Sequence, residues 1–220
     1  GVGAGALSTF PQNVGRSVLL LYSDPGAYVV DPFAGHNSRM ELCVSNGRHY
    51  IGYDVSSVFM VFNEKRRDQL ATSFHSAVID LHLCDSREMK FTKDSVGDFT
   101  ITSPPYYDIE DYGDDPRQLG KAKTYDSFMD SICAVLRENF RVLKPGAFSV
   151  WFVNDFRRKG KFYMYHRDVV LAAEDAGFVS HDILIVDFGP GIRDAFTSQI
   201  IQTRILPKRH EYGLIFRKPL

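Results

Sequence analysis

The sequence predicts an α/β domain with an open, mostly parallel sheet, wound on both faces by helices and closed near the C-terminus by an antiparallel pair of strands. Three observations lead there. Short apolar runs alternate with amphipathic stretches from Val14 to Phe216, the order expected of strands exchanged with crossover helices. Four successive apolar runs, at 27–30, 49–53, 78–84 and 99–102, hand over at their C-terminal ends to Asp31, Asp54, Asp85 and Ser103, and that edge is where open α/β sheets bind ligands. Finally, 220 residues with 44% hydrophobic and 24% charged content suit one sizeable core, without an interdomain linker or internal repeat.

Residues 1–9 are small and read as a loose lead-in. After Phe10-Pro11, the apolar positions Val14, Val18, Leu19, Leu20 and Leu21 suit a short helix with proline near its first turn. Asp24-Pro25-Gly26 turns the chain into a buried strand at 27–30, which runs into Asp31-Pro32-Phe33-Ala34-Gly35-His36-Asn37-Ser38. A glycine-containing loop between that strand and a helix at 39–46 is the first βα turn of a doubly wound sheet, and its N–H groups can face a ligand carboxylate. Strand 49–53 ends on Asp54, at the offset of about 20 residues where a ribose-binding carboxylate belongs. The helix at 55–70 carries Glu64, Lys65, Arg66, Arg67 and Asp68, a solvated face. A third strand at 78–84 ends at Asp85.

The fourth strand, 99–102, runs into Thr102-Ser103-Pro104-Pro105-Tyr106. Proline cannot donate to a sheet ladder and holds φ near about −65°, so the pair stops the strand and fixes Ser103 and its neighbouring carbonyls as a polar lip beside an aromatic face. Such a lip can hold a flat amino-bearing ring. Residues 107–123 are rich in Asp, Gly and Lys and read as a mobile loop, about 15 residues long, a length uncommon without a function. From Thr124, an N-cap, Phe128, Ile132, Val135, Leu136, Phe140 and Leu143 fall at helical spacing. Lys144-Pro145-Gly146 ends that helix, and strand 147–153 terminates at Asn154-Asp155 before the basic cluster Arg157, Arg158, Lys159 and Lys161. A helix at 165–176 stops at Gly177, strand 179–187 leads into a Gly-Pro-Gly loop, and strands at 199–206 and 212–216 form the closing antiparallel pair around Pro207-Lys208-Arg209-His210-Glu211.

Lys and Arg number 26 against 27 Asp and Glu, a net charge of −1, so any basic surface for nucleic acid has to be local. The three cysteines, Cys43, Cys84 and Cys133, form no CxxC pair, which argues against a disulfide framework and a zinc site and for a reducing, intracellular, cytoplasmic setting. No apolar run reaches the length of about 18 that spans a membrane. His75, His82, His166 and His181 have no partner at metal or triad spacing, and Trp151 and Cys84 read as core.

The Asp31 to Gly35 loop, the Ser103-Pro104-Pro105-Tyr106 motif and Pro207-x-x-His210-Glu211, in that order, resemble the S-adenosylmethionine-dependent DNA amino-methyltransferases, which make N4-methylcytosine or N6-methyladenine. The resemblance runs from about Phe10 to Lys218. It implies the Rossmann-like class I methyltransferase fold, S-adenosyl-L-methionine as cofactor, DNA as partner and no metal. Phe10 and Pro11 would line the cofactor site, and Asp31, Pro32, Phe33, Ala34 and Gly35 would hold the methionine moiety. Asp54 would bind the ribose hydroxyls and Asp85 the adenine amino group. Ser103 and Pro104, ahead of Pro105, would hold the target amino group, with Tyr106 against the flipped base. Two departures stand out. The family loop often continues Gly-x-Gly-Thr, where this chain has Gly35-His36-Asn37-Ser38. No long segment after the motif serves as a target-recognition domain, so sequence recognition would come from an additional domain or partner.

An aromatic amine is a poor nucleophile because its lone pair is delocalised into the ring. Two acceptors on its N–H groups favour a pyramidal nitrogen, and catalysis becomes positioning plus stabilisation of developing positive charge. Ser at position 103 leans towards cytosine in the resembling family, where Asp or Asn leans towards adenine. Arg117, Lys121, Lys123, Arg157, Arg158, Lys159, Lys161, Lys208 and Arg209 are the candidates for phosphate contacts that hold a strand while its base is flipped. The expected activity is methyl transfer to N4 of cytosine in DNA. The alternatives are N6 of adenine, an RNA or protein amino group, and a catalytically inactive cofactor- or DNA-binding accessory subunit.

Overall fold

A computed structural model describes residues 10–109, 115–189 and 197–220. The expected lead-in, the middle of the long loop at 110–114, and Pro190 and Gly191 lie outside the described residues. Seven strands form one sheet: β1 (Tyr28–Asp31), β2 (His49–Asp54), β3 (Ile79–Leu83), β4 (Gly97–Thr102), β5 (Leu143–Val153), β8 (Val179–Asp187) and β9 (His210–Arg217). Their spatial order is β3-β2-β1-β4-β5-β9-β8. The first five pair in parallel and β9 runs antiparallel between β5 and β8. The switch in winding direction falls between β1 and β4, so the crevice outside their carboxyl ends is the natural ligand position.

Successive residues of the central strands feed two cores. Val30, Ile51, Trp151, Val153, Leu214 and Phe216 pack with helices α4 (Tyr125–Val142) and α5 (Tyr165–Asp175) on one side. Val29, Phe99, Ile101, Val150, Phe152 and Ile215 pack with α1 (Gln12–Tyr22) and α2 (Ser38–Ser45) on the other. That double burial is why these strands read as continuous apolar runs. A third helix, α3 (Ser57–Ala71), adds Leu70 to the second core and is capped by Ser56. The N-cap read at Thr124 is present: its side chain accepts from Ser127 N–H while Ser127 Oγ accepts from Thr124 N–H, a reciprocal capping box. A buried polar chain then fixes α4 to the sheet. Trp151 Nε1 donates to Ser149 Oγ (2.9 Å), Ser149 Oγ to Asn139 Oδ1 (2.7 Å), and Asn139 Nδ2 to Thr100 Oγ1 (2.7 Å).

Three expectations are corrected. Residues 199–206 do not form a strand; α6 (Thr197–Thr203) covers the first of them. Both edges of β9 are already taken by β5 and β8, so a further partner has no ladder to join. The closing antiparallel pair is therefore β8 with β9. Strand β5 begins at Leu143, where the α4 helix was expected to end, with a bulge across which Gly146 adopts φ 81°. Finally, the basic cluster is part of a separate two-stranded hairpin, β6 (Phe156–Arg158) with β7 (Lys161–Tyr163), turned through Lys159 and Gly160 at φ 49° and 79°. Positive φ at both turn residues suits the twist of a two-residue hairpin loop.

Candidate active site

Four elements converge on one buried carboxylate. Asp31, 0% exposed at the end of β1, accepts from Arg39 Nε (2.6 Å) on α2, Tyr50 Oη (2.8 Å) on β2, Thr102 Oγ1 (2.6 Å) on β4 and its own loop at Phe33 N–H (3.1 Å). The guanidinium of Arg39 also donates to the Phe33 carbonyl. Burial alone would depress Arg39, but Asp31 and Tyr50 hold it above its ordinary value; burial first, then Asp31, raises the Tyr50 phenol. Asp31 is thus spent on the loop's own architecture, and it joins the two sequence motifs directly through Thr102.

The loop that Asp31 supports lines a cavity. Phe10, Pro32, Phe33, Gly35, Asp54, Asp85, Ser103 and Pro105, from the residues singled out in the sequence, border it together. Pro11, Asp31, Ala34, Pro104 and Tyr106 do not. Gly35 sits at φ 50°, a backbone region that favours glycine, and donates its N–H to Asp54 Oδ2 (2.8 Å). Asp54 Oδ1 accepts from Ser56 N–H (2.8 Å). Burial raises the Asp54 carboxyl, opposed by those two N–H groups. Gly52 lets the loop approach β2: a Cβ there would lie 2.6 Å from the Tyr50 ring and 3.1 Å from Ala34 Cβ, and Ala34 N–H donates to Tyr53 O at 2.8 Å. Past the end of the neighbouring strand β3, Asp85 is gripped by Arg87, whose Nε reaches both oxygens at 3.0 Å and whose backbone N–H donates at 2.9 Å.

Ser103 borders the same cavity, and no described residue hydrogen-bonds to its hydroxyl or to the Pro104 carbonyl. The adjacent Pro105 carbonyl accepts from Tyr165 Oη (3.3 Å). Tyr106 packs edge-on against Phe156 (5.9 Å between centroids) and Tyr165 (5.8 Å), within an aromatic cluster that includes Phe128 and Tyr125. Its ring therefore has a rigid back wall.

The candidate phosphate-binding cations are mostly engaged. Arg117 pairs with Asp115 (2.6 Å), whose carboxyl it pulls down to about 2. Arg158 and Lys159 pair with Asp108 (2.9 and 3.2 Å). Arg157 lies over Phe162 and Lys161 over Tyr163. Lys208 donates to Asn154 Oδ1 (3.0 Å). Lys121, Lys123 and Arg209 lie on the two connections preceding α4 and β9.

Several neighbours escaped the sequence reading. Arg39, Ser38, His36, Ser86, Phe59 and Gln118 also line the cavity. His166 does have an acidic partner: its Nδ1 lies 2.6 Å from Asp155 Oδ1, and its ring stacks on Tyr212 at 4.2 Å. The side chain of Glu211, a residue 9% exposed, makes no hydrogen bond or ion pair with a described residue, and burial pushes its carboxyl up to about 7, with Arg39 opposing. The folded chain holds that proton more tightly than an unfolded one, whose carboxyl titrates near ~4.3, so its cost to stability is nil below about pH 4 and grows to as much as ~3 kcal/mol by about pH 7. Glu211→Gln is expected to raise the melting temperature at about pH 8 and leave it unchanged at about pH 4, in thermal denaturation at both. No group of three or more His, Cys, Asp or Glu among the described residues is placed to hold a metal, and no described helix is long and apolar enough to cross a membrane.

Comparison with known proteins bears on both fold and site. Residues 8–63 match the N6/N4 DNA methylase family model, described as "DNA methylase". That stretch contains Phe10, the Asp31 to Gly35 loop and Asp54, and stops short of Ser103. The DNA adenine methyltransferase YhdJ of Escherichia coli (strain K12) is 31% identical over 58 residues, 26% of this chain and 20% of that protein. The resemblance read from the motifs is thus found again in the first part of the chain. Among solved structures, a SAM-dependent methyltransferase from Methanosarcina mazei matches 97% of this chain and 100% of its own with a TM-score of 0.63 at 14% identity. TrmN from Thermus thermophilus matches 94% of this chain and 48% of its own with a TM-score of 0.62 at 14% identity. The [4+2]-cyclase SpnF matches 95% and 82% with a TM-score of 0.64 at 15% identity. The fold is that of the class I methyltransferases, and its presence in a cyclase means that fold alone does not select a reaction.

Proposed function

We propose that this chain, matched by a DNA methylase family over its first strands and folded as a class I methyltransferase, transfers a methyl group from S-adenosylmethionine to the exocyclic amino group of a flipped DNA base, with N4 of cytosine ahead of N6 of adenine. The observation that carries this reading is Ser103 Oγ, an acceptor that no described residue engages, bordering the same cavity as the Asp54 carboxylate, with the Pro104 carbonyl, likewise without a described hydrogen-bond donor, next to it in the chain.

The cavity's chemistry fits the cofactor. Asp54, held by two backbone N–H groups, offers its remaining lone pairs to ribose hydroxyls. Phe10, Phe33, Phe59 and Leu119 give apolar walls, Asp85 and Ser86 polar groups for an adenine edge, and the Gly35 turn room for the methionine moiety. S-adenosylmethionine supplies an electrophilic methyl group on a positively charged sulfur. The chain supplies position. Ser103 Oγ and the Pro104 carbonyl accept the two N–H bonds of the target amine and hold its nitrogen pyramidal, with the lone pair aimed along the displacement axis. Both are neutral acceptors suited to a nitrogen that is cationic only in passing. Ser103 is too weak a base to take a proton beforehand, so proton loss follows attack. Tyr106, backed by Phe156 and Tyr165, holds the ring.

The adenine reading is favoured by one observation, the name of the curated relative, a DNA adenine methyltransferase. Incubation with labelled donor and mixed DNA, RNA and protein, followed by nucleoside mass spectrometry, tests both. N4-methylcytosine is the expected product. Label confined to RNA or protein would end the DNA reading, and N6-methyladenine alone would end the argument from Ser103. Asp54→Ala is expected to weaken donor binding by about 100-fold, the loss of two charge-assisted hydrogen bonds, measured by titration calorimetry. Because burial raises the Asp54 carboxyl, wild-type donor binding should weaken as pH falls towards that raised value.

A further inference from the structure

Two residues beyond Tyr106, Asp108 takes up φ 51° and donates its N–H to the Gly120 carbonyl (3.0 Å). Its Oδ2 receives Arg158 Nε (2.9 Å) and Lys159 Nζ (3.2 Å) from the tip of the β6–β7 hairpin. One oxygen between two cations is how a phosphodiester oxygen is held. Arg158 first, then Lys159, holds the Asp108 carboxyl below its ordinary value. The hairpin carries more positive charge than Asp108 answers, since Arg157 and Lys161 lie on aromatic rings and pair with no described carboxylate. Its base is fixed to the site: Phe156 and Tyr163 stack at 5.0 Å, and Phe156 is one of the two rings behind Tyr106.

We infer that Arg158 and Lys159 form a binding site for a backbone phosphate next to the flipped nucleotide, and that the Asp108 carboxylate occupies this site in the free protein. The inference rests on the reading above that the substrate is a DNA strand. Exposed ion pairs of this kind are weakened by solvent screening and by the entropy of holding two side chains in place, so an arriving phosphate displaces the carboxylate easily. In the free protein the same pair, with the contact of Tyr107 on Tyr163, keeps the short segment Tyr107-Asp108 docked on the hairpin. Strand binding and rearrangement of that segment are therefore one exchange of anions.

Asp108→Asn isolates the charge, because asparagine adopts positive φ readily and the backbone is kept. Fluorescence anisotropy with a single-stranded DNA oligonucleotide, over a series of salt concentrations, compares wild type, D108N, R158Q/K159Q and the triple variant. D108N is expected to bind about 3- to 10-fold tighter. R158Q/K159Q should bind more weakly, with a salt dependence flatter by about 0.7 in the log–log slope, as for one phosphate no longer neutralised on a single strand. In that background D108N should bring no gain. Unchanged or weaker binding by D108N, or a gain that persists without Arg158 and Lys159, overturns the inference. Wild type that binds and methylates DNA while D108N gains nothing removes this site alone. Wild type that neither binds nor methylates any nucleic acid removes the functional reading and the site with it. A gain on an RNA oligonucleotide but not on DNA overturns the inference as stated.

Discussion

Alanine in place of Ser103 is expected to slow methyl transfer about 10²- to 10³-fold, the range for removing one preorganised group that stabilises a developing charge, while donor affinity stays at the wild-type value. The hydroxyl borders the cavity but bonds to no described residue, so its loss leaves no orphaned partner and no fold penalty. Single-turnover transfer at saturating donor, set beside calorimetric donor binding, separates the two effects. Normal turnover by the variant would remove Ser103 from the chemistry and with it the argument for cytosine. Equal losses in rate and donor affinity would instead mean that the change had disturbed the cavity.

The second large effect is on stability. Asp31→Ala is expected to destabilise the fold by about 3–5 kcal/mol, because it strands a buried cation. Arg39 is 6% exposed and would keep its charge with only the Phe33 carbonyl as an acceptor, while Tyr50 and Thr102 hydroxyls lose theirs. Chemical denaturation read by tryptophan fluorescence is suited to the measurement, since Trp151, the chain's one tryptophan, is fully buried on β5 beside β4. Asp31→Asn should cost less, as the amide oxygen still accepts. A variant as stable as wild type would show that the hub is not what holds the loop to the sheet. The same substitution would test whether Asp31 acts on the donor directly or only through the loop it supports.

The central sheet and α4 were legible because burial on both faces leaves a local signature: continuous apolar strands, and helical spacing from Phe128 to Leu136 after a capping threonine. The sheet edge was legible because topology puts strand ends there, which is why Asp54, Asp85 and Ser103 line one cavity though far apart in sequence. The hairpin β6–β7 was not, because three-residue strands made largely of arginine, lysine and aromatics look like a charged loop until they pair. Residues 199–206 misled because apolar residues in SQIIQTRIL fit a strand, and only the full occupancy of β9's edges rules one out. Internal engagement of the polar groups was invisible for a different reason. That Asp31 faces inward, that His166 meets Asp155, and that Asp108 holds the hairpin are properties of tertiary distance, which no spacing in the chain encodes.

The grip of Arg87 on Asp85 has a kinetic corollary. On the reading proposed here, the amino group of the donor's adenine competes with a guanidinium only two residues away, whose effective concentration is very high and does not dilute. The apparent donor affinity is then the intrinsic affinity scaled by the fraction of molecules in which Arg87 has swung aside. A donor analogue without that amino group gains nothing from Asp85 and has no reason to wait for the swing. Discrimination at this end of the cavity would therefore show in association rates as well as in residence times, with an arginine acting as the protein's own competitive ligand.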